Sequence, residues 1–349
     1  PTGPLEVDGK AELDLASLQK ALPRASTWRD QVVLSGKTSL DLRVRGTLKD
    51  PVPSGNVTFK QIGVALPLMG INFEQISGAV VADANDLRID GVQATVAGGK
   101  LALQGTLKNL RKPVINASGT IAGVDLAQVR GFLTKNSAGF PKGLDFSGRG
   151  DIDVSLSGSA GEPNITGTAI LAGARLTHPS ILRPLTQIVG PIRFDKRTIS
   201  TENLMLNWGS STLRLGGKID DFSKLQLNFT YSIVPLDLTD VGAFFLAGTS
   251  YRATGMGVGT GKIHGPLEKI VVEGTATVPD GKFEASISKS NPSGFQFPLK
   301  NLTAPFVFTD GVLSINGLKA GLFSGNIEGS GKVFVKETPI RFAFDSKAT

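Results

Sequence analysis

The stretch Leu87–Leu107 reads LRIDGVQATVAGGKLALQGTL, and its pattern returns at Ile199–Ile219 (ISTENLMLNWGSSTLRLGGKI) and at Leu313–Val333 (LSINGLKAGLFSGNIEGSGKV). The three copies align without insertion or deletion. Leu87, Ile199 and Leu313 correspond, as do Leu101, Leu213 and Ile327, then Gly105, Gly217 and Gly331, and finally Leu107, Ile219 and Val333. The offsets are 199 − 87 = 112 and 313 − 199 = 114 residues. A period of this length makes each copy one supersecondary block of an array.

Outside this stretch, other landmarks fall into the same register. Gly46 and Gly55 are nine apart, as are Gly158 and Gly167, and Gly265 and Gly274; Gly36, Gly148 and Gly255 lie ten residues before the first of each pair. Leu13-Asp14-Leu15, Val124-Asp125-Leu126 and Leu236-Asp237-Leu238 mark three starts. The sequence therefore predicts one continuous array over residues 1–349, with units 14–124, 125–236 and 237–349 and an insertion near 286–298.

Each unit opens on a short helix. Leu15, Leu18 and Leu22 recur at helical spacing, Asp14 suits the cap and Pro23 the stop; the counterparts are Asp125 to Leu133 and Asp237 to Leu246. Strands follow, predicted over 38–48, 56–65, 73–82, 87–96, 100–107 and 114–121 in the first unit. Short turn signals separate many of them, among them 83–86, Gly98-Gly99, Ser210-Ser211, Asp310-Gly311 and Ser324-Gly325. Connections this short join antiparallel neighbours, because a parallel crossover needs a dozen residues or more. The apolar parity switches beside Gly91, from Leu87 and Ile89 to Val92, Ala94 and Val96, and again beside Gly317; such a switch predicts a β-bulge. Gly46, Gly158, Gly265, Gly105, Gly217 and Gly331 sit on the apolar parity themselves, which suits a bend in a curled sheet and also room for a ligand.

The fold class expected is all-β with a few short helices: an elongated, twisted antiparallel β-groove built from three tandem repeats of about 112 residues, which the family resemblance given below makes taco-like. About 18–24 strands at about 4.8 Å each give an array on the order of 85–115 Å long. One helix per unit is too little to cover the apolar face, so the sheet must curl, pack on a second sheet or accept an apolar ligand. Such a slot suits acyl chains, which need a dry surface and few polar contacts.

Composition narrows the function classes. The absence of Cys excludes disulfides and thiolate metal sites. A net charge of +7 suits anionic membrane surfaces and plain solubility alike. No dense Lys/Arg block with interleaved aromatics is present, so nucleic acid is not expected as a partner. The longest apolar run, Val241 to Ala247, is too short to span a bilayer. With Pro1 at its start, the chain reads as a fragment whose membrane anchor would lie outside it.

The Gly46-x8-Gly55 spacing with Asp50-Pro51, the Gly158 to Gly167 spacing with Glu162-Pro163, the segment Leu101 to Leu107 and the Asp14-Leu15 type of helix start resemble the AsmA-like proteins of the Gram-negative envelope, whose relatives include TamB and YhdP. The resemblance covers nearly the whole chain. It implies a periplasmic, bridge-like β-groove anchored in the inner membrane, passing phospholipids towards the outer membrane without chemistry. It brings no catalytic, cofactor or metal residues.

Sharper local signals have plainer explanations. Gly255 to Lys262 looks like a phosphate loop, but Met256 and Ile263 break the pattern and the stretch aligns with ordinary strand in the other units. Ser286-Ile287-Ser288-Lys289 has the spacing of penicillin-interacting enzymes within an all-β repeat. His178 and His264 lack an acidic cluster at ligand spacing, so neither metal nor cofactor is expected. Asp151 and Asp153 share a strand face that reads as solvated, and Asn56, Asn116, Asn164, Asn228 and Asn301 open Asn-x-Ser/Thr triplets by composition.

The candidate lining residues are those on the apolar parity of the repeated hairpin: Leu101, Leu103 and Leu107; Leu204, Leu206, Trp208, Leu213, Leu215 and Ile219; Leu318, Leu322, Ile327 and Val333. The same parity also describes an ordinary dry core. The function expected is non-enzymatic binding and passive transport of phospholipid or another long-chain lipid between the two membranes, in the periplasm, with envelope proteins as further partners. A rival is a scaffold that receives strands of outer-membrane proteins by edge pairing. A carbohydrate-binding role is weaker, since only 2 Trp and 2 Tyr are present.

Overall fold

The computed structural model describes residues 4–21, 31–47, 51–109, 112–136, 140–179, 181–220, 225–285 and 294–349. The fold is all-β, one open antiparallel sheet of 19 strands with a few short helices. In chain order the elements are β1 (Pro4–Asp14), α1 (Leu15–Ala21), β2 (Val33–Thr47), β3 (Pro51–Leu66), β4 (Ile71–Asp83), β5 (Asp86–Val96), β6 (Gly99–Lys108), β7 (Val114–Asp125), α2 (Leu126–Asn136), β8 (Asp145–Ser159), β9 (Asn164–His178) and β10 (Ile181–Phe194). They continue with β11 (Ile199–Trp208), β12 (Ser211–Ile219), β13 (Gln226–Asp237), α3 (Leu238–Phe245), β14 (Tyr251–Pro266), β15 (Val271–Ala285), β16 (Phe295–Thr309), β17 (Val312–Leu322), β18 (Gly325–Phe334) and β19 (Arg341–Ala348). An order of strand, helix and five strands thus recurs three times before β19. The expected insertion falls mostly, and Ser286 to Lys289 and Pro23 fall wholly, outside the described residues.

The chain divides into two compact units: residues 1–174 with 193–196, and residues 175–192 with 197–349. In the first, β1 through β8 form a meander in which each strand pairs with its chain neighbours. In the second, β11 through β19 do the same. Each helix packs mainly on the strand that follows it, α1 on β2, α2 on β8 and α3 on β14. The helix starts follow from the aspartates. Asp14 Oδ1 accepts from Ser17 N at 2.7 Å, Asp125 Oδ1 from Ala127 N at 2.9 Å and Asp237 Oδ1 from Thr239 N at 2.8 Å.

The parity switches are bulges. The register slips between Ile89 and Val92 and between Ile315 and Leu318, with Gly91 at φ +58 and Gly317 at φ +75. The middle copy slips at the same place, between Thr201 and Leu204, with no glycine there to signal it. The turns between the paired strands centre on Ala97-Gly98, Gly209-Ser210 and Phe323-Ser324, one residue earlier than the sequence signals. The glycines ten residues before each pair are bends: Gly36, Gly148 and Gly255 have φ of +92, +116 and +135, and a side chain on any of them would press on the facing backbone.

Candidate functional site

The register builds the same apolar grid from each copy of the repeated hairpin and the strand after it. In the first unit Leu87 pairs with Leu107, Ile89 with Gly105, Val92 with Leu103 and Ala94 with Leu101. The partners on β7 are Ile115, Ala117, Gly119 and Ile121, and β8 extends the rows with Leu156, Val154 and Ile152. In the second unit Ile199 pairs with Ile219, Leu204 with Leu215 and Leu206 with Leu213, and β13 continues with Leu227, Tyr231 and Ile233. A third grid in the same unit pairs Leu313 with Val333, Ile315 with Gly331 and Ala320 with Ile327. Antiparallel pairing places each cross-strand pair on one face, so these rows are contiguous apolar surface.

The structure brings the candidate residues together in this way, within each unit separately. Leu206 at 2% exposure and Val333 at 7% are buried. Leu318 and Ile327 pack against a core of Leu238, Val278, Leu302 and Ala320, under α3. Trp208 meets Phe244 of α3 edge-on, with ring centroids 6.4 Å apart. Leu101, Leu103, Leu107, Leu204, Leu213, Leu215, Ile219 and Leu322 are half-buried. These residues are less fully covered than Leu206 and Val333, which lie in the same rows.

Among the described residues, eighteen apolar ones are buried.

In the second unit the sheet turns its apolar face inward. Tyr251 on β14 meets Phe342 on β19 at 5.7 Å between ring centroids, although four strands lie between them. Phe244 and Phe245 of α3 both reach Phe308 on β16, at 5.8 and 5.5 Å.

The apolar-parity glycines are used by the protein itself. Tyr231 lies over Gly261 and Gly274, where a side chain would come within 2.7 and 2.5 Å of its hydroxyl. That hydroxyl donates to the Glu273 carbonyl at 3.3 Å, and burial, with Glu273 nearby, pushes its pKa up to about 12. Phe344 covers Gly331, Phe194 covers Gly167, and the Ala117 side chain fills the place beside Gly105. Gly46, Gly158 and Gly265 have φ of +108, +94 and +98 and are backbone bends. Both sequence readings of these glycines thus give way at Gly105 and Gly331 to a third: space for a neighbour's ring or methyl.

One polar cluster escaped the sequence reading. Asp240 of α3, 4% exposed, accepts from Ser210 N at 2.7 Å, Ser211 N at 3.0 Å and Ser211 Oγ at 3.1 Å, and it pairs with Arg183. Ser211 Oγ in turn accepts from Asp237 N at 3.0 Å. This cluster pins α3 to the β11–β12 turn, which a carboxylate in the otherwise apolar run LTDVGAFF could have signalled.

The remaining polar candidates do not converge. Asp151 accepts from Gly123 N at 2.7 Å, and Asp153 is exposed. His264 Nε2 stands 3.7 Å from Glu273 Oε1, and residues 255–262 lie within β14. Among the described residues, no group of three or more His, Cys, Asp or Glu could hold a metal ion, and no helix is long and apolar enough to cross a membrane. A concavity of about 310 Å³ in the second unit is lined by Gly261, Gly274, Phe306, Lys262, Glu273 and Asn316 among others. Comparison with protein-family models, curated proteins and solved structures returns no match to this chain.

Proposed function

We propose that the chain binds long-chain lipid, phospholipid above all, with acyl chains laid on the apolar rows and headgroups left in water, and that it passes them on without chemistry. The observation that supports this most is that the rows around Leu101, Leu103 and Leu107 and around Leu204, Leu215 and Ile219 are only half-buried. Keeping these side chains against water costs stability unless something apolar covers them. An acyl chain gains about 0.8 kcal/mol for each CH₂ so covered. The same observation fits the AsmA-like resemblance, and with it a periplasmic location and traffic between two membranes.

The test is organic extraction of the purified protein followed by mass spectrometry. Stoichiometric phospholipid is expected, and Leu103→Gln with Leu215→Gln should reduce it at unchanged strand content. Protein that carries no lipid and instead captures unfolded β-barrel chains would favour the scaffold, for which β19, with all of its residues exposed at a margin of the sheet, supplies the pairing edge.

A further inference from the structure

We infer that the aromatic end of β16, β17 and β18 is a docking surface for an anionic lipid bilayer. The tip of the β17–β18 hairpin is Phe323-Ser324, and Phe323 is 73% exposed with φ +53. The equivalent turns begin with Ala97 and Gly209, small residues that lie beside α2 and α3. A bulky side chain in left-handed backbone is strained, and an exposed ring gains nothing in water to offset it. Phe323 does not stand alone. Phe297 lies 6.5 Å from it and 6.3 Å from Phe295, which is itself 64% exposed. Two exposed rings joined through the half-buried Phe297 mark a contact surface.

Charge selects the partner. The outward-facing positions on the strands behind the tip carry Arg252, Lys282, Lys300, Lys319 and Lys347 against Asp280, Glu284 and Glu328, an excess of 5 − 3 = 2 positive charges. Lys300 faces Gly321 across the ladder, and Lys319 faces Glu328, which faces Lys347. Aromatic rings at a tip with cations set back from it match the interface of a bilayer, where rings enter at headgroup depth and cations meet phosphates. Three of these cations are paired, Lys282 with Glu284 at 3.7 Å, Lys300 with Asp280 at 2.8 Å and Lys319 with Glu328 at 3.0 Å, so the excess is carried by Arg252 and Lys347. At the opposite ends of these strands Lys336 pairs with Asp310 at 2.6 Å and Arg341 with Glu337 at 2.7 Å. The surface is distinct from the apolar rows, so it stands or falls apart from the lipid-carrying reading.

The test is sedimentation of the full chain with vesicles of phosphatidylcholine alone and of phosphatidylcholine with about one-third phosphatidylglycerol. Binding to the anionic vesicles is expected, weakening as salt shortens the Debye length from about 10 Å at 0.1 M to about 3 Å at 1 M. Phe323→Asn suits left-handed backbone, so it should keep or raise the melting temperature while lowering vesicle affinity about tenfold. Adding Phe295→Ser should lower it further. Three results would overturn the assignment: no binding to either vesicle, unchanged affinity in the folded double variant, or a dimer that Phe323→Asn dissolves, which would give the rings to a second copy of the chain. Co-purified lipid, present or absent, bears only on the apolar rows.

Discussion

Replacing Asp240 is the most informative single change. In Asp240→Ala the backbone N–H of Ser210 turns to water, because Ser210 is exposed. Ser211 cannot, since it is 0% exposed. Its N–H and its hydroxyl proton lose a charged acceptor together, and a buried donor left unpaired costs about 1–3 kcal/mol. Arg183 is 39% exposed on its side chain and finds solvent, so its contribution is discounted. The sum is about 3 kcal/mol, local to the contact between α3 and the β11–β12 turn. Asp240→Asn keeps one acceptor oxygen and should cost about half as much. Amide hydrogen exchange reads this directly. The Leu246 N–H bonds to Gly242 O at 2.8 Å and closes the last turn of α3. Its exchange should speed up about a hundredfold in Asp240→Ala, with β6 and β7 unchanged, because about 1.4 kcal/mol is a factor of ten. If Leu246 exchanges within threefold of the parent protein, the cluster does not hold the helix and the reasoning fails.

Glycine substitutions separate packing from backbone conformation. Gly261→Ala would place its methyl 1.9 Å from Glu273 O and 2.7 Å from the Tyr231 hydroxyl, so it should cost more than about 3 kcal/mol in urea unfolding of the second unit. Gly317→Ala has open space and only its φ of +75 to oppose it, so about 1–2 kcal/mol is expected; equal costs would contradict the packing account. Asp14 supplies a pH test. Its hydrogen bonds to Ser17, chiefly the one from the backbone N–H, hold its pKa below the ordinary 3.8. A carboxylate lowered on folding stabilises above its unfolded value and stops doing so as pH falls through its folded value. Exchange protection of α1 should therefore hold at neutral pH and decay only below about pH 4, and Asp14→Asn should remove that acid dependence.

The strands, hairpins and three helix starts were legible because they rest on local rules. Alternation fixed β2 through β7, and aspartates at 14, 125 and 237 marked the caps. The bulges at Gly91 and Gly317 showed because parity and glycine agreed; the one between Thr201 and Leu204 was hidden because Glu202-Asn203 carries no glycine. What covers the apolar face was not legible. Periodicity treats Val333 and Leu107 alike, yet Val333 is buried, while Leu107 is half-buried. That difference comes from contacts across several strands, such as Phe244 and Phe245 on Phe308, which no short-range pattern encodes. Asp240 was missed for the same reason: Arg183 is 57 residues away from it in sequence.

Helix α3 and a bound acyl chain would compete for neighbouring parts of one surface, which gives the Asp240 variant a second use. Leu238 and Val241 of α3 sit on Val278, Leu302 and their neighbours, and the rows around Leu204 and Leu215 continue beyond that cover. If the apolar face exists to take hydrocarbon, loosening α3 uncovers more of it, and Asp240→Ala should bind more lipid even as it loses local protection. If the face is only incompletely packed core, the same change should lower stability and leave lipid binding where it was, since a loosened core offers no ordered slot. Each buried CH₂ is worth about 0.8 kcal/mol, so two further carbons covered on each chain correspond to more than a tenfold gain in affinity. The direction of that change, measured on the variant whose exchange already proves α3 released, separates a binding surface from a packing deficit.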